Sequence, residues 1–124
     1  MTDLRNPNIR AKDINRLLGY KSQLIQWDKG VDDNNKWHLA SLEDDNHKEK
    51  LLSWLKSKNV LPECAALFVN QSSGQTKFTH WGSIIVEPEI YFGNQDFDLY
   101  DLDLNWILQY KAMNIVCFGV IESK

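Results

Sequence analysis

The segment that most limits what this chain can fold into lies near its end. Asn114 to Ile121, NIVCFGVI, is apolar at every position but Asn114. A membrane helix needs about 20 such residues, and this run is far shorter. A strand with one wet face would alternate with polar residues, and this run does not. It predicts a strand buried on both faces, hence a central strand of a sheet. The remaining residues must supply the neighbouring strands and the layers that cover them.

Those 124 residues predict one domain, 1–124. A chain of that size buries about two-thirds of its unfolded surface. Before the hairpin region the pattern is helical. Leu51, Leu52, Trp54 and Leu55 form one apolar stripe, Glu43, Asp44 and Asp45 precede it, and Lys56 and Lys58 close it. That order suits the helix dipole and predicts a helix over 44–58, opened by a Ser41–Asp44 variant of the capping box. Asn59 suits a left-handed cap, and Pro62 prevents resumption. Ile14, Leu17 and Leu18 predict an earlier helix within 9–18, ended by Gly19, and Lys21 to Asp28 a second short helix or turn. Residues 1–8 and 29–36 read as loop, and Trp37 to Leu42 as strand or extended linker.

After Pro62 the period changes to that of strands. Cys64 to Asn70 and Lys77 to Val86 flank the turn 71–75, QSSGQ, which predicts an antiparallel hairpin. Pro88 interrupts, and Glu89 to Phe92 reads as a short strand. The segment 96–104, DFDLYDLDL, almost alternates and suits a strand, but it also opens a helical pattern through Leu99, Leu102, Trp106 and Tyr110. The favoured reading is extended backbone to Phe97 and a helix from Asp98 to Ala112. The predicted fold class is therefore α+β: N-terminal helices packed on a small, largely antiparallel sheet, with a C-terminal helix and the central strand.

Charge is unevenly placed. The window Glu87 to Tyr110 carries Glu87, Glu89, Asp96, Asp98, Asp101 and Asp103 and no Lys or Arg. It sums to −6 within a chain whose net charge is −3. Helix-start chemistry around a proline turn is one explanation of those acids. The other is a binding surface for a basic partner, since unpaired like charges repel and cost stability. On that second reading the six carboxylates are the charged contacts, and Tyr91 and Tyr100 (with Phe97 a further candidate) the exposed aromatic anchors.

Chemistry-bearing motifs are sparse. Asp96, Asp98 and Asp101 resemble a calcium loop only superficially, because its required Gly and Glu positions hold Asp101 and Ile107. Cys64 and Cys117 sit in apolar runs as buried thiols, with no CxxC to suggest zinc. No metal and no cofactor is expected. His80 with Glu87 or Glu89 is the one conceivable acid/base pair, and a small hydrolase or nuclease built on it is the alternative reading. No nucleophile elbow or phosphate loop occurs, and an acidic balance argues against a nucleic-acid binder. The N-terminus lacks the apolar run of a signal peptide, so the cytosol is the expected compartment. A homo-oligomeric adaptor, joined through its Trp and Tyr residues, is a further alternative.

In its size, its single α+β domain, its lack of a catalytic motif and its acidic–aromatic segment 87–110, the chain resembles a known type. It is similar to the small cytosolic immunity proteins that accompany bacterial contact-dependent growth-inhibition and colicin-like toxins. The resemblance implies a non-catalytic inhibitor that binds one cognate toxin domain, often a basic nuclease. Its carboxylates would then engage the Lys and Arg that otherwise hold RNA or DNA.

Overall fold

The chain is described by a computed structural model, for residues 10, 12–14, 16, 19, 24–27, 38–40, 42, 44–93, 95–112 and 114–121. The elements are β1 (Ile25–Trp27), β2 (His38–Leu39), α1 (Asp45–Lys56), β3 (Ala65–Asn70), β4 (Thr76–His80), α2 (Trp81–Val86), α3 (Pro88–Tyr91), β5 (Phe97–Asp101), β6 (Trp106–Lys111) and β7 (Ile115–Ile121). Residues 12–14, 16 and 19 are also helical. The fold is α+β, with seven strands in one sheet ordered β1-β7-β6-β5-β3-β4, and β2 also paired to β7. Every pairing is antiparallel.

β7 is the predicted apolar strand. It lies between β6 on one side and β1 and β2 on the other. β1 pairs beside it with Trp27 opposite Gly119, and the side chains of Ile25 and Trp27 lie over that glycine: a Cβ built on Gly119 would stand 2.7 Å from Ile25 Cγ2 and 3.0 Å from Trp27 Cε3. Glycine at 119 is what leaves room for those two side chains. The hairpin β3–β4 also forms as its turn residues predict, with Gly74 at φ 77°.

α1 follows from its sequence as well. Asp44 is the N-cap, and its Oδ1 accepts from the Asn46 N–H at 2.7 Å. Leu51 and Leu55, four residues apart, are fully buried, each contributing about 1.5–3 kcal/mol of transfer free energy. Asn59 takes φ 60° just past the helix. Ser41 and the loops at 1–8 and 29–36 lie outside the described residues, as do half of 9–18, Leu17 and Leu18 among them.

Four expectations are corrected. Residues 98–112 are not a helix but most of the hairpin β5–β6, so the C-terminal helix of the predicted fold is replaced by two more strands. The DFDLYD alternation places Phe97 and Leu99 on one face and Asp98 and Tyr100 on the other. Both faces are covered, and all five residues of β5 are buried. A helix would have left one side of that set in water. Second, 81–86 continues β4 as helix, not strand, because one turn carries both Trp81 and Ile84 into the core. Third, 88–91 is helical: Pro88 occupies the first turn, where its missing N–H costs nothing. Fourth, 25–27 is strand β1 and not helix.

The larger core lies between the sheet and the three helices. Trp81 packs edge-on to Trp106 and Phe118, and Phe97 lies against Phe68, Phe92 and Tyr110. Cross-strand register sets Phe68, Leu99, Leu108 and Phe118 in one row of this face. The opposite face carries Leu67, Val69, Tyr100, Ile107 and Ile121 under Ile14 and Leu24.

Candidate functional site

The hairpin at β5–β6 disperses the six acids that lie close in sequence. Asp98 and Asp101 are buried, Asp96 is half-buried, and Glu87, Glu89 and Asp103 are exposed. Glu87 and Glu89 flank the start of α3, whereas Asp96 and Asp103 lie beyond opposite ends of β5.

Three of the four aspartates hold backbone or side chains of the fold itself. Asp96 Oδ1 accepts from the Ala112 N–H at 2.7 Å, tying the start of β5 to the end of β6. Asp101 Oδ2 accepts from the Asn105 N–H at 3.0 Å, and its carbonyl from the Leu104 N–H at 2.8 Å. Leu104 turns the chain with φ 57°. Asp98 sits in mid-strand and accepts from the Tyr100 hydroxyl and from Gln71 Nε2. Burial pushes the Asp98 carboxyl up, against the downward pull of those two hydrogen bonds. The Tyr100 hydroxyl is pushed up as well, by burial first and by the Asp98 charge second. Much of the local acidity is thus strand-end and buried-network chemistry, not helix-start chemistry.

The expected aromatic anchors are corrected. Tyr100 and Phe97 are 0 % exposed and Tyr91 is buried beneath β4, its hydroxyl sharing a hydrogen bond with Thr79 Oγ1 at 2.9 Å. The strand period of β5 turned Phe97 and Tyr100 inward, and the short helix α3 turned Tyr91 onto the sheet. The acids also have cations near them: Lys48 of α1 pairs with Glu89, which holds that carboxyl below its usual range. His80 and Glu87 stand at the two ends of α2, about 10 Å apart along its axis, so that helix separates the proposed acid/base pair. Among the described residues no group of three or more His, Cys, Asp or Glu could hold a metal ion. No helix among them is long and apolar enough to cross a membrane.

Where charge and apolar surface do meet is a groove of about 440 Å³ beside the β5–β6 turn. One wall is the turn itself, with Asp101, Asp103 and Asn105. The other is the loop after α1, Lys58 to Leu61. Trp106 and Phe118 form its floor, and Val120 of β7 its far rim. Leu61 and Val120 are 65 % and 48 % exposed. The chain turns left-handed at Asn59, with φ 60°, two residues before Leu61. Lys58 is drawn back over the rings, its Nζ 4.2 Å from the Trp54 centroid and 5.6 Å from that of Phe118. Cys64 lines the same groove and donates to Asp101 Oδ1 at 3.7 Å; burial and then the Asp101 charge push its thiol up, so it is not an activated nucleophile.

Of the sequence candidates, only Asp101 and Asp103 meet here. Leu61, Trp106 and Val120 carried no signal of their own, since an apolar residue beside Pro62 or inside a strand run reads equally well as core. No family model, curated protein or solved structure matches the chain.

Proposed function

We propose that this chain is a non-catalytic inhibitor of the immunity type, which binds a cognate basic toxin domain, in class a nuclease, in the cytosol. The observation that carries the reading is the groove at the β5–β6 turn, where the exposed carboxylate of Asp103 stands beside exposed Leu61 and Val120. A charged group at the rim of an apolar patch is the usual anatomy of a protein interface. The rim charge steers a basic partner in, and the apolar residues hold it once water is excluded. Asp101 is anchored by its own hydrogen bonds and serves to fix the turn that presents Asp103. Glu87 is exposed on the helical side and adds to the long-range field.

The test uses toxin domains encoded beside this chain's gene. Cells expressing such a domain should survive when this chain is co-expressed. In a purified pair, Asp103→Lys should slow association roughly tenfold and flatten its salt dependence, with little change in dissociation. Full-speed binding by Asp103→Lys would remove the groove from the interface. Absence of protection by any neighbouring gene pair would remove the inhibitor reading itself.

A further inference from the structure

The sheet ends at β4, which pairs with β3 on one side. The ladder shows which of its backbone groups are left over. Asn70 N–H donates to Gln75 C=O, and Trp81 N–H to Cys64 C=O. Bonded pairs alternate along an antiparallel ladder, so between those two positions Lys77 and Thr79 are the residues bonded to β3. The N–H and C=O of Thr76 and Phe78 and the N–H of His80 are therefore left over on the outer side, whereas the His80 C=O, at the N-cap of α2, belongs to the first turn of that helix. Among the described residues no strand takes them. Phe78, in the middle of that edge, is 50 % exposed.

Edges of this kind template further pairing unless something blunts them. β4 has no proline and no bulge in its register with β3. Its one lysine, Lys77, lies on the helical face, with Nζ 5.2 Å from the Phe68 centroid and 5.3 Å from that of Tyr91. Its charge is thereby held off the face that Phe78 occupies.

We propose that a second copy of this chain pairs with β4, antiparallel about a two-fold axis at Phe78, so that two sheets become one. What favours a second copy over an unrelated strand is the self-complementarity of TKFTH. The two-fold sets Phe78 against Phe78, Lys77 against Thr79, and Thr76 against His80. No like charges face each other, and the two half-exposed rings meet on one face, an aromatic cross-strand pair that favours the sheet. Phe78 would exchange both of its outward bonds with its symmetry mate, and His80 N–H would donate to Thr76 C=O of the other copy, at each end of the pairing. This surface shares no residue with the Asp103 groove, so it stands or falls separately from the inhibitor reading.

Sedimentation equilibrium of the full chain over a wide concentration range tests it. The wild type should shift from monomer to dimer mass. Phe78→Lys and Phe78→Asp, each alone, should stay monomeric, because like charges would then face each other; an equimolar mixture of the two should recover the dimer. Should either variant fail to fold, amide exchange on the wild type supplies the answer: Phe78 and His80 N–H should exchange more slowly as concentration rises. A wild type that is monomeric throughout, a dimer indifferent to both substitutions, or a dimer whose Phe78 and His80 amides exchange at the monomer rate would each overturn the proposal.

Discussion

Phe97 and Asp98 are adjacent in the chain and lie on opposite faces of one sheet, and the two faces are built differently. The helical face is a layer of rings, with Trp81, Trp106 and Phe118 in one group and Phe68, Phe92, Phe97 and Tyr110 in another. The other face mixes apolar side chains with a buried carboxylate, and register sets Val69, Asp98, Gln109 and Cys117 across it in one row. Helices can deliver large rings at any height above a sheet, so the first face excludes water by volume. The second is covered by Ile14 and Leu24 with the side chains of Ile25 and Trp27, and it satisfies its polar groups by hydrogen bonds. The difference shows that burial in this protein is reached by packing on one side and by partnered polar groups on the other.

Substitution on each face should separate the two. The largest loss is expected at Trp81, 0 % exposed between Trp106 and Phe118: Trp81→Ala should cost about 3–5 kcal/mol in denaturant unfolding. A cost near that of a surface change would mean the ring layer collapses to fill the space. On the opposite face, Gly119→Ala pushes a methyl into Ile25 and Trp27 and should cost about 1–3 kcal/mol. If it is neutral, β1 is free to move aside, and that face is the looser of the two.

Asp98 gives the finest distinction, because it concerns charge and not volume. Its carboxyl is raised in the fold, so the native state holds the proton more tightly than the unfolded chain does. Its contribution to stability is then whole below the unfolded carboxylate range and falls away as pH rises through the raised native value. Asp98→Asn keeps the shape and cannot ionise. It should gain on the wild type as pH is raised from acid towards neutrality, measured by urea unfolding at a series of pH values. A difference that stays constant across the series would mean that Asp98 ionises in the fold at no cost.

The same two faces explain what could be read in advance. The acid-rich window was legible as a concentration of charge, but its cause was not. Asp96 and Asp101 are there to hold the ends of β5, and those partners, Ala112 and Asn105, exist only once the hairpin has formed. Tyr91 and Tyr100 were misplaced for a related reason: whether an aromatic residue among acids faces water depends on what covers it. Asp103 was recognisable as a charge in an acidic run. Its neighbours Leu61 and Val120 are brought to it from 42 residues before and 17 after, and sequence separation of that kind leaves no local trace.

What the sequence by itself determined were the elements whose local signals agree with one another. α1 has its cap, its stripe and its stop; β7 has an unbroken apolar run; the β3–β4 hairpin has its turn. What only the tertiary structure decided was the state of 81–112. There the short segments satisfy more than one period, and apolar residues point both ways. DFDLYDLDL can alternate or wind, WGSIIV can extend or coil, and Pro88 can break or begin a helix. Free energy chose the arrangement in which both faces of β5 are covered and every aspartate on it finds a donor. Those donors and covering layers come from distant parts of the chain, so no local pattern could contain them.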